Sequence, residues 1–232
     1  ATTLNPTSAP YNQFSLGLKK AVDQTYCSLL KNDIPIEDTI EGFHGDGSVF
    51  KMIKVVRNLI KQHNFDVVHI HSGVTGIILL IAALPFKISI FKKTVFTLHN
   101  SWNVIKFRNQ ILNFLVMLVA KKICTCGKSS RESIPKAINF FIAKKTIAIV
   151  NGFDNERIDK IKNNKDATKH FSESSLVKIL CVGALSNIKN QISLLTALKE
   201  ITFDCELVFL GDGANKEALT KFSQQLNSNL DI

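Results

Sequence analysis

The 232-residue sequence contains no apolar run as long as the roughly 18–20 residues that a membrane span needs. The longest candidate, Val74 to Phe86, contains Gly76 and Pro85 and is typical of a buried helix. The N-terminus lacks the basic-then-apolar pattern of a signal peptide. The five cysteines are odd in number and scattered along the chain, which predicts no disulfide framework and a cytoplasmic location.

Several sequence motifs with known chemistry are also absent. The chain has no GxxxxGK[ST] phosphate loop, no GxSxG nucleophile elbow and no HExxH metal motif. Gly211-Asp212-Gly213 follows a predicted strand, but Lys216 stands where a dinucleotide fingerprint needs its third glycine. These absences argue against P-loop, serine-hydrolase, zincin and NAD-binding classes.

Positive charge is confined to the first part of the chain. Residues 1–150 carry 19 Lys and Arg against 8 Asp and Glu, a net charge of +11, whereas residues 151–232 carry 10 against 11, a net charge of −1. A basic body of this kind suits an anionic membrane surface, an acidic substrate or nucleic acid. A lysine-rich solvated surface explains the same charge equally well.

Short apolar runs alternate with segments of helical spacing, which predicts βαβ units and a parallel sheet. The predicted strands cover 2–4, 24–29, 67–71, 94–99, 122–126, 146–150, 177–182 and 206–210, and the predicted helices 49–63, 73–84, 104–120, 128–137, 191–199 and 215–226. The polar stretch 159–176 predicts a hinge. The predicted organisation is therefore a domain over 1–158, a linker over 159–176 and a second domain over 177–232.

Ligands of doubly wound sheets bind beyond the carboxyl ends of the strands, so the residues that close each strand are the candidates. His69 and His71 share one face of a strand, and His99-Asn100 and Asn151-Gly152 close two others. The three histidines could share a metal, but no further ligand follows at regular spacing, so no metal is expected.

Two further strand-end segments suggest structural or binding roles. Cys124 and Cys126 are typical of small packed residues, and Ser129 or Ser130 could cap the next helix. Gly183 closes a later strand, and Lys189 stands just before a helix. A cation beside helical N–H groups suits a diphosphate, although a solvated loop lysine is the simpler interpretation.

In this order and spacing, the segments resemble the group 1 glycosyltransferases, that is, glycosyltransferase family 4 of the GT-B fold. The matching segments are 66–71, 97–100, 124–131, 151–154, 179–198 with Gly183 and Lys189, and 207–213. The resemblance implies an α/β protein with a Rossmann-like acceptor-binding domain over 1–158 and a second Rossmann-like, nucleotide-sugar-binding domain that begins at 177.

The resemblance also implies roles for individual residues. His99 is the expected catalytic residue near the transferred sugar, and Lys189 with Gly183 is expected to bind the donor diphosphate. The candidates for the acceptor side of the cleft are Asn100, His71, Asn12 and Asn151. Transfer with retention is expected, with no cofactor and no essential metal.

The sequence departs from the family pattern in three places. Ala184 replaces the usual arginine, Ser8 to Gln13 replaces a Gly-Gly loop, and the chain ends before the acidic donor motif. The expectation is a chain truncated within its donor domain and inactive alone.

The expected parent function is sugar transfer from a nucleotide-sugar to a glycan or lipid-linked acceptor in bacterial surface polysaccharide synthesis, with peripheral membrane association. Helix 104–120 is the candidate membrane contact, although a core helix fits its pattern as well. The alternative function is a non-catalytic anion- or nucleic-acid-binding protein. One Trp, two Tyr and no basic recognition helix argue against nucleic acid as a partner.

Overall fold

The computed structural model describes residues 18, 21–30, 41–84, 86–152, 159 and 176–225. The chain divides into two compact units, Ala1–Asp154 and Asn155–Ile232. The predicted linker, 159–176, and the predicted strand 2–4 lie outside the described residues, apart from 159 and 176. No helix in the described ranges is both long and apolar enough to cross a membrane.

The first unit alternates strands and helices. The strands are β1 (Thr25–Ser28), β2 (Glu41–His44), β3 (Val68–Ile70), β4 (Thr94–Leu98), β5 (Lys122–Thr125) and β6 (Thr146–Ala148). The helices are α1 (Val49–Gln62), α2 (Gly73–Ala83), α3 (Phe107–Val119), α4 (Lys128–Glu132) and α5 (Lys136–Ile142). Ser48 and Ser72 cap α1 and α2, because each side-chain oxygen accepts a hydrogen bond from the backbone N–H three residues later.

All strand pairs in this unit are parallel. The main sheet has the order β3-β4-β5-β6, and β1 pairs with β2 separately. The register sets His69 opposite Val95 and Thr97 opposite Cys124. Because each parallel connection returns the chain to the same starting edge, the ends of these four strands emerge together at one edge of the sheet.

One face of the main sheet forms the core of the unit. Ile70, Phe96 and Ile123 point into it and pack with α2 and α3, whose buried residues include Ile78 and Met117. The opposite face is partly exposed among the described residues. It carries His69, Val95, Thr97, Cys124 and Ile147. The continuous apolar runs predicted burial on both faces, whereas the described helices cover one.

Lysines at the starting edge of the sheet hold the ends of helices. The Lys87 ammonium donates to the carbonyl of Ile60 at 2.7 Å, at the end of α1. The Lys145 ammonium donates to the carbonyls of Leu118 and Ala120 at the end of α3. Helix C-termini leave carbonyls without intrahelical partners, and cations there are favourable. These lysines therefore have a structural role.

The second unit contains β7 (Val177–Val182), α6 (Gln191–Ala197), β8 (Cys205–Leu210) and α7 (Lys216–Gln225), with β7 and β8 parallel and in register. Its core consists of Leu185, Leu195, Leu207, Phe209 and Leu219. On the other face, Lys178, Leu180 and Val182 of β7 are exposed, as is Leu210 at the end of β8. The apolar pattern of β7 predicts a buried strand, but the described residues bury only one face of it.

Candidate functional site

Four polar side chains follow consecutive strands at the carboxyl edge of the main sheet. His71 follows β3, His99 follows β4, Cys126 follows β5 and Asn151 comes three residues after β6. The parallel order of the strands brings these residues side by side across the sheet. We call these four residues the strand-end row.

Hydrogen bonds connect the strand-end row from one strand to the next. Nδ1 of His71 lies 3.0 Å from Nε2 of His99, and the two rings are stacked with 5.3 Å between centroids. Nδ1 of His99 lies 3.5 Å from Sγ of Cys126. The side chain of Cys126 is in turn hydrogen-bonded to that of Asn151. His99 therefore has a partner on each side of its ring.

A second row lies two residues earlier on the same face. Nε2 of His69 lies 2.7 Å from Oγ1 of Thr97, and the Thr97 side chain also hydrogen-bonds Cys124. The ring of His69 is 4.0 Å from that of His71, centroid to centroid. This row supports the strand-end row, because the His69 ring limits the space that His71 can occupy.

The histidines of both rows are neutral at physiological pH. Burial is the main cause for His71 and lowers its pKa to about 2, with repulsion from His69 and His99 adding to the effect. The pKa of His69 is lowered in the same direction, but by less, because its side chain is exposed on the open face of the sheet. Burial also lowers the pKa of His99 and raises that of the Cys126 thiol. Neutral imidazoles and a neutral thiol provide hydrogen-bond donors and acceptors for hydroxyl groups rather than a charge.

The loop after β4 is fixed by two serines. Oγ of Ser130 donates to the carbonyl of Asn100 at 3.1 Å, and Oγ of Ser133 accepts from the N–H of Trp102 at 2.7 Å. The prediction that Ser129 or Ser130 caps the helix is wrong, because Gly127 occupies the N-cap position and Ser130 turns toward the loop. The Asn100 side chain stays exposed beside the strand-end row.

The predicted acceptor residues are only partly located. His71 lies within the strand-end row, Asn151 lies at its far end, and Asn12 lies outside the described residues. Within the described ranges, no group of three or more His, Cys, Asp and Glu residues could hold a metal ion.

In the second unit, the candidate residues lie in the loop after β7. Gly183 has φ +149°, a backbone conformation that favours glycine, and a Cβ there would lie 3.8 Å from Cε of Lys189. A Cβ on Gly211, after β8, would overlap the carbonyl oxygen of Gly183. The two strand-end loops are therefore in backbone contact, and Lys189 lies exposed beside them.

A surface depression of about 540 Å³ opens beside this pair of loops. Gly213, Lys216, Glu217 and Thr220 are among its lining residues, so it follows one side of α7 rather than the loop that carries Lys189. The Asn215 side chain, at the end of the loop after β8, donates to that of Asn187 at 2.7 Å. Side-chain and backbone contacts thus both join the two loops.

Residues 31–157, more than half of the sequence, match the family model described as Glycosyltransferase Family 4. The chain belongs to glycosyltransferase family 4. The match covers β2 to β6 and all four residues of the strand-end row. No curated protein matches the chain.

Among solved structures, a UDP-N-acetylglucosamine 2-epimerase from Rickettsia bellii resembles this family 4 chain. The TM-score is 0.56 at 12% sequence identity, over 99% of this chain and 67% of the other. Identity this low supports the fold alone. Together with the parallel sheets, the two matches confirm the predicted α/β, Rossmann-like GT-B fold and the predicted family resemblance.

Proposed function

We propose that this family 4 protein takes part in retaining transfer of a sugar from a nucleotide-sugar to a glycan or lipid-linked acceptor in bacterial surface polysaccharide synthesis. The observation that supports this most directly is the strand-end row, which lies within the family match and at the ligand-binding edge of a parallel sheet. No cofactor and no metal enter the proposed reaction, since the nucleotide-sugar is itself a substrate.

In this proposal, His99 is the catalytic residue and contacts the transferred sugar. A sugar presents hydroxyl groups, and a neutral imidazole can hydrogen-bond them; at His99 a hydroxyl would share or replace the contact with His71. Asn100, Asn151, His71 and Asn12 would contribute to acceptor binding. The two asparagines with described positions are exposed at strand ends, where an amide can both donate to and accept from a hydroxyl.

The proposed donor contacts lie in the second unit. Lys189 would stabilise the diphosphate as negative charge develops on it, a contribution of a few kcal/mol for a well-placed group. Gly183 suits this loop because its φ of +149° is a conformation that residues with a Cβ rarely adopt. Since Ala184 stands where the family usually has arginine, Lys189 would supply this charge without that partner.

Thermal shift measurements on the intact chain test the donor assignment. We expect UDP-glucose or GDP-mannose to raise the melting temperature, because a ligand that binds only the folded state stabilises it. Lys189→Ala should remove the shift. Lys221→Ala is the matched control, since that exposed lysine of the same unit pairs with Glu217 instead. A shift with single-stranded DNA and none with either nucleotide-sugar would favour the alternative, anion- or nucleic-acid-binding function.

Peripheral association with an anionic membrane is the further part of this proposal. Phe107 on α3 and Phe140 on α5 are 75% and 83% exposed, and the Phe141 ring beside Phe140 contacts Phe114 of α3. Between Asp66 and Asp154 the sequence contains one acidic residue, Glu132, against twelve lysines and arginines. Exposed aromatic rings among cations suit an anionic lipid surface.

Helix α3 combines the two interpretations that its sequence allows. Val116 and Met117 are buried in the core, whereas Phe107, Ile111 and Leu115 are exposed on the other side. The residues of α3 that are predicted to contact a membrane fall on both the exposed and the partly buried side. Lys106, Phe107 and Arg108 are exposed, while Leu112 and Phe114 are partly buried. One face of α3 thus stabilises the unit and the other supports the proposed membrane contact.

A further inference from the structure

His99 is the point at which three strands of the main sheet meet through side chains. His71 approaches Nε2 of its ring from β3, and Cys126 approaches Nδ1 from β5. Cys126 lies level with His99, since Leu98 pairs with Thr125, whereas His71 lies level with Thr97, since Ile70 pairs with Phe96, and its ring reaches forward to His99. The orientation of the His99 ring is therefore set by the sheet before any ligand binds.

The chemistry of the three groups selects one arrangement of protons. A neutral imidazole carries one N–H, so one of its nitrogens donates and the other accepts. A thiol is a weak donor and its sulfur is a weak acceptor, whereas an unprotonated imidazole nitrogen accepts well. In the favoured arrangement an imidazole nitrogen is the acceptor in both hydrogen bonds. The Cys126 thiol then donates to His99, and His99 donates to His71.

We propose that His71 and Cys126 are positioning residues for His99: the Cys126 S–H donates to Nδ1 of His99, whose Nε2–H donates to Nδ1 of His71. The structural part of this proposal stands without a ligand. Its meaning for sugar transfer rests on the proposed function, in which His99 contacts the sugar. A hydroxyl that hydrogen-bonds this ring would share Nε2–H with His71 or replace His71 as its acceptor, because the thiol closes the Nδ1 side.

Cys124 provides a matched control for Cys126. The two cysteines lie two residues apart at the end of β5, both are half-buried, and burial raises the pKa of both thiols. They differ in their partners, since Cys124 is hydrogen-bonded to Thr97 and Cys126 lies against His99. A general loss of packing would follow either change, whereas a change at Nδ1 of His99 should follow only one.

The test is nuclear magnetic resonance of the intact chain with ¹⁵N-labelled histidine and no ligand, in which the shifts of the two ring nitrogens report where the proton lies. His99→Gln identifies the resonances. We expect His99 to carry its proton on Nε2. Cys126→Ala should shift the Nδ1 resonance and admit the second tautomer, and it should raise the pKa of His99, because a donor to the neutral ring is lost.

Cys126→Ser should keep the wild-type tautomer, since the hydroxyl can donate in place of the thiol, and Cys124→Ala should leave the His99 resonances in place. A wild-type His99 protonated on Nδ1 would overturn the proposal without any variant. An unchanged Nδ1 resonance in folded Cys126→Ala would also overturn it. Because no nucleotide-sugar is present, these outcomes are independent of the donor-binding test, which can fail while the tautomer result holds.

Discussion

The contact between α2 and α3 is close enough that one added methyl group should destabilise the first unit. Gly76 of α2 faces Val116 of α3, which is fully buried. A Cβ on Gly76 would overlap Cγ2 of Val116 and lie 2.7 Å from Cγ1. The valine cannot turn away cheaply, because a β-branched side chain in a helix strongly prefers one rotamer. Gly76→Ala therefore requires the two helices to separate.

The expected magnitudes follow from packing and helix propensity. Overpacking a core costs about 1–3 kcal/mol, and replacing glycine by alanine within a helix adds about 1 kcal/mol of stability, so Gly76→Ala should lower the free energy of unfolding by up to about 2 kcal/mol. Val116→Ala removes two methyl groups at about 0.8 kcal/mol each, plus a cavity term. In the double variant, the new methyl group enters the space that the valine vacates. The loss of unfolding free energy in the double variant should therefore be about 2 kcal/mol smaller than the sum of the losses in the two single variants.

Urea denaturation followed by tryptophan fluorescence measures this coupling. The chain's one tryptophan, Trp102, is buried in the same unit and reports on its unfolding. Gly152→Ala is the control, because a Cβ there would meet no atom within 4 Å. Losses for the Gly76 and Val116 variants that add to within about 0.5 kcal/mol would refute the reasoning, since independent sites behave in that way.

Three further predictions concern the site and its surroundings. In the proposed sugar transfer, His99→Ala should lower turnover at least tenfold, about 1.4 kcal/mol in activation free energy, with an unchanged circular dichroism spectrum. Near-normal turnover would reject its catalytic role. Burial lowers the pKa of His71 to about 2 from an ordinary value of about 6.5, so below about pH 6.5 the unfolded chain binds a proton at this histidine that the folded chain does not bind. The urea midpoint should therefore fall as pH drops below about 6.5, and His71→Gln should flatten that dependence. Parallel pH curves for the two proteins would contradict this. The double variant Phe107→Ser, Phe140→Ser should weaken binding to phosphatidylglycerol vesicles at least tenfold in a sedimentation assay, since each ring buried in the lipid contributes about 1.5–3 kcal/mol. Phe50→Ser is the control, because Phe50 is 80% exposed on α1 and should not affect binding. Equal effects of the two variants, or binding that does not depend on salt, would count against a specific membrane face.

The sequence predicts the strands well, because each is a short apolar run closed by polar residues. The predicted strands 94–99 and 177–182 correspond to β4 and β7 within one residue at each end. β2 was missed, since Glu41–His44 contains a glycine and no apolar run, and its pairing with β1 comes from tertiary structure. The helix predicted over 128–137 divides into α4 and α5, because Pro135 provides no N–H to continue the first helix.

The site is predicted in part for a similar reason. His71 and His99 stand out as polar residues at strand ends, a feature visible along one strand at a time. Cys126 does not, because a cysteine in an apolar strand is typical of packing, and only the register of β4 against β5 brings its sulfur to His99. Ser130 was assigned to a helix cap, whereas its bond to Asn100 depends on a contact 30 residues away.

The lysines at the starting edge of the main sheet affect how salt acts on this protein. Lys87 and Lys145 bind helix-end carbonyls there, whereas the strand-end row lies at the opposite edge. A strand of five residues at about 3.3 Å each separates the two edges by roughly 15 Å. The Debye length at physiological ionic strength is about 8 Å, so this charge is largely screened at the histidines. Salt should therefore alter how the unit approaches an anionic surface while leaving the hydrogen bonding of His99 unchanged.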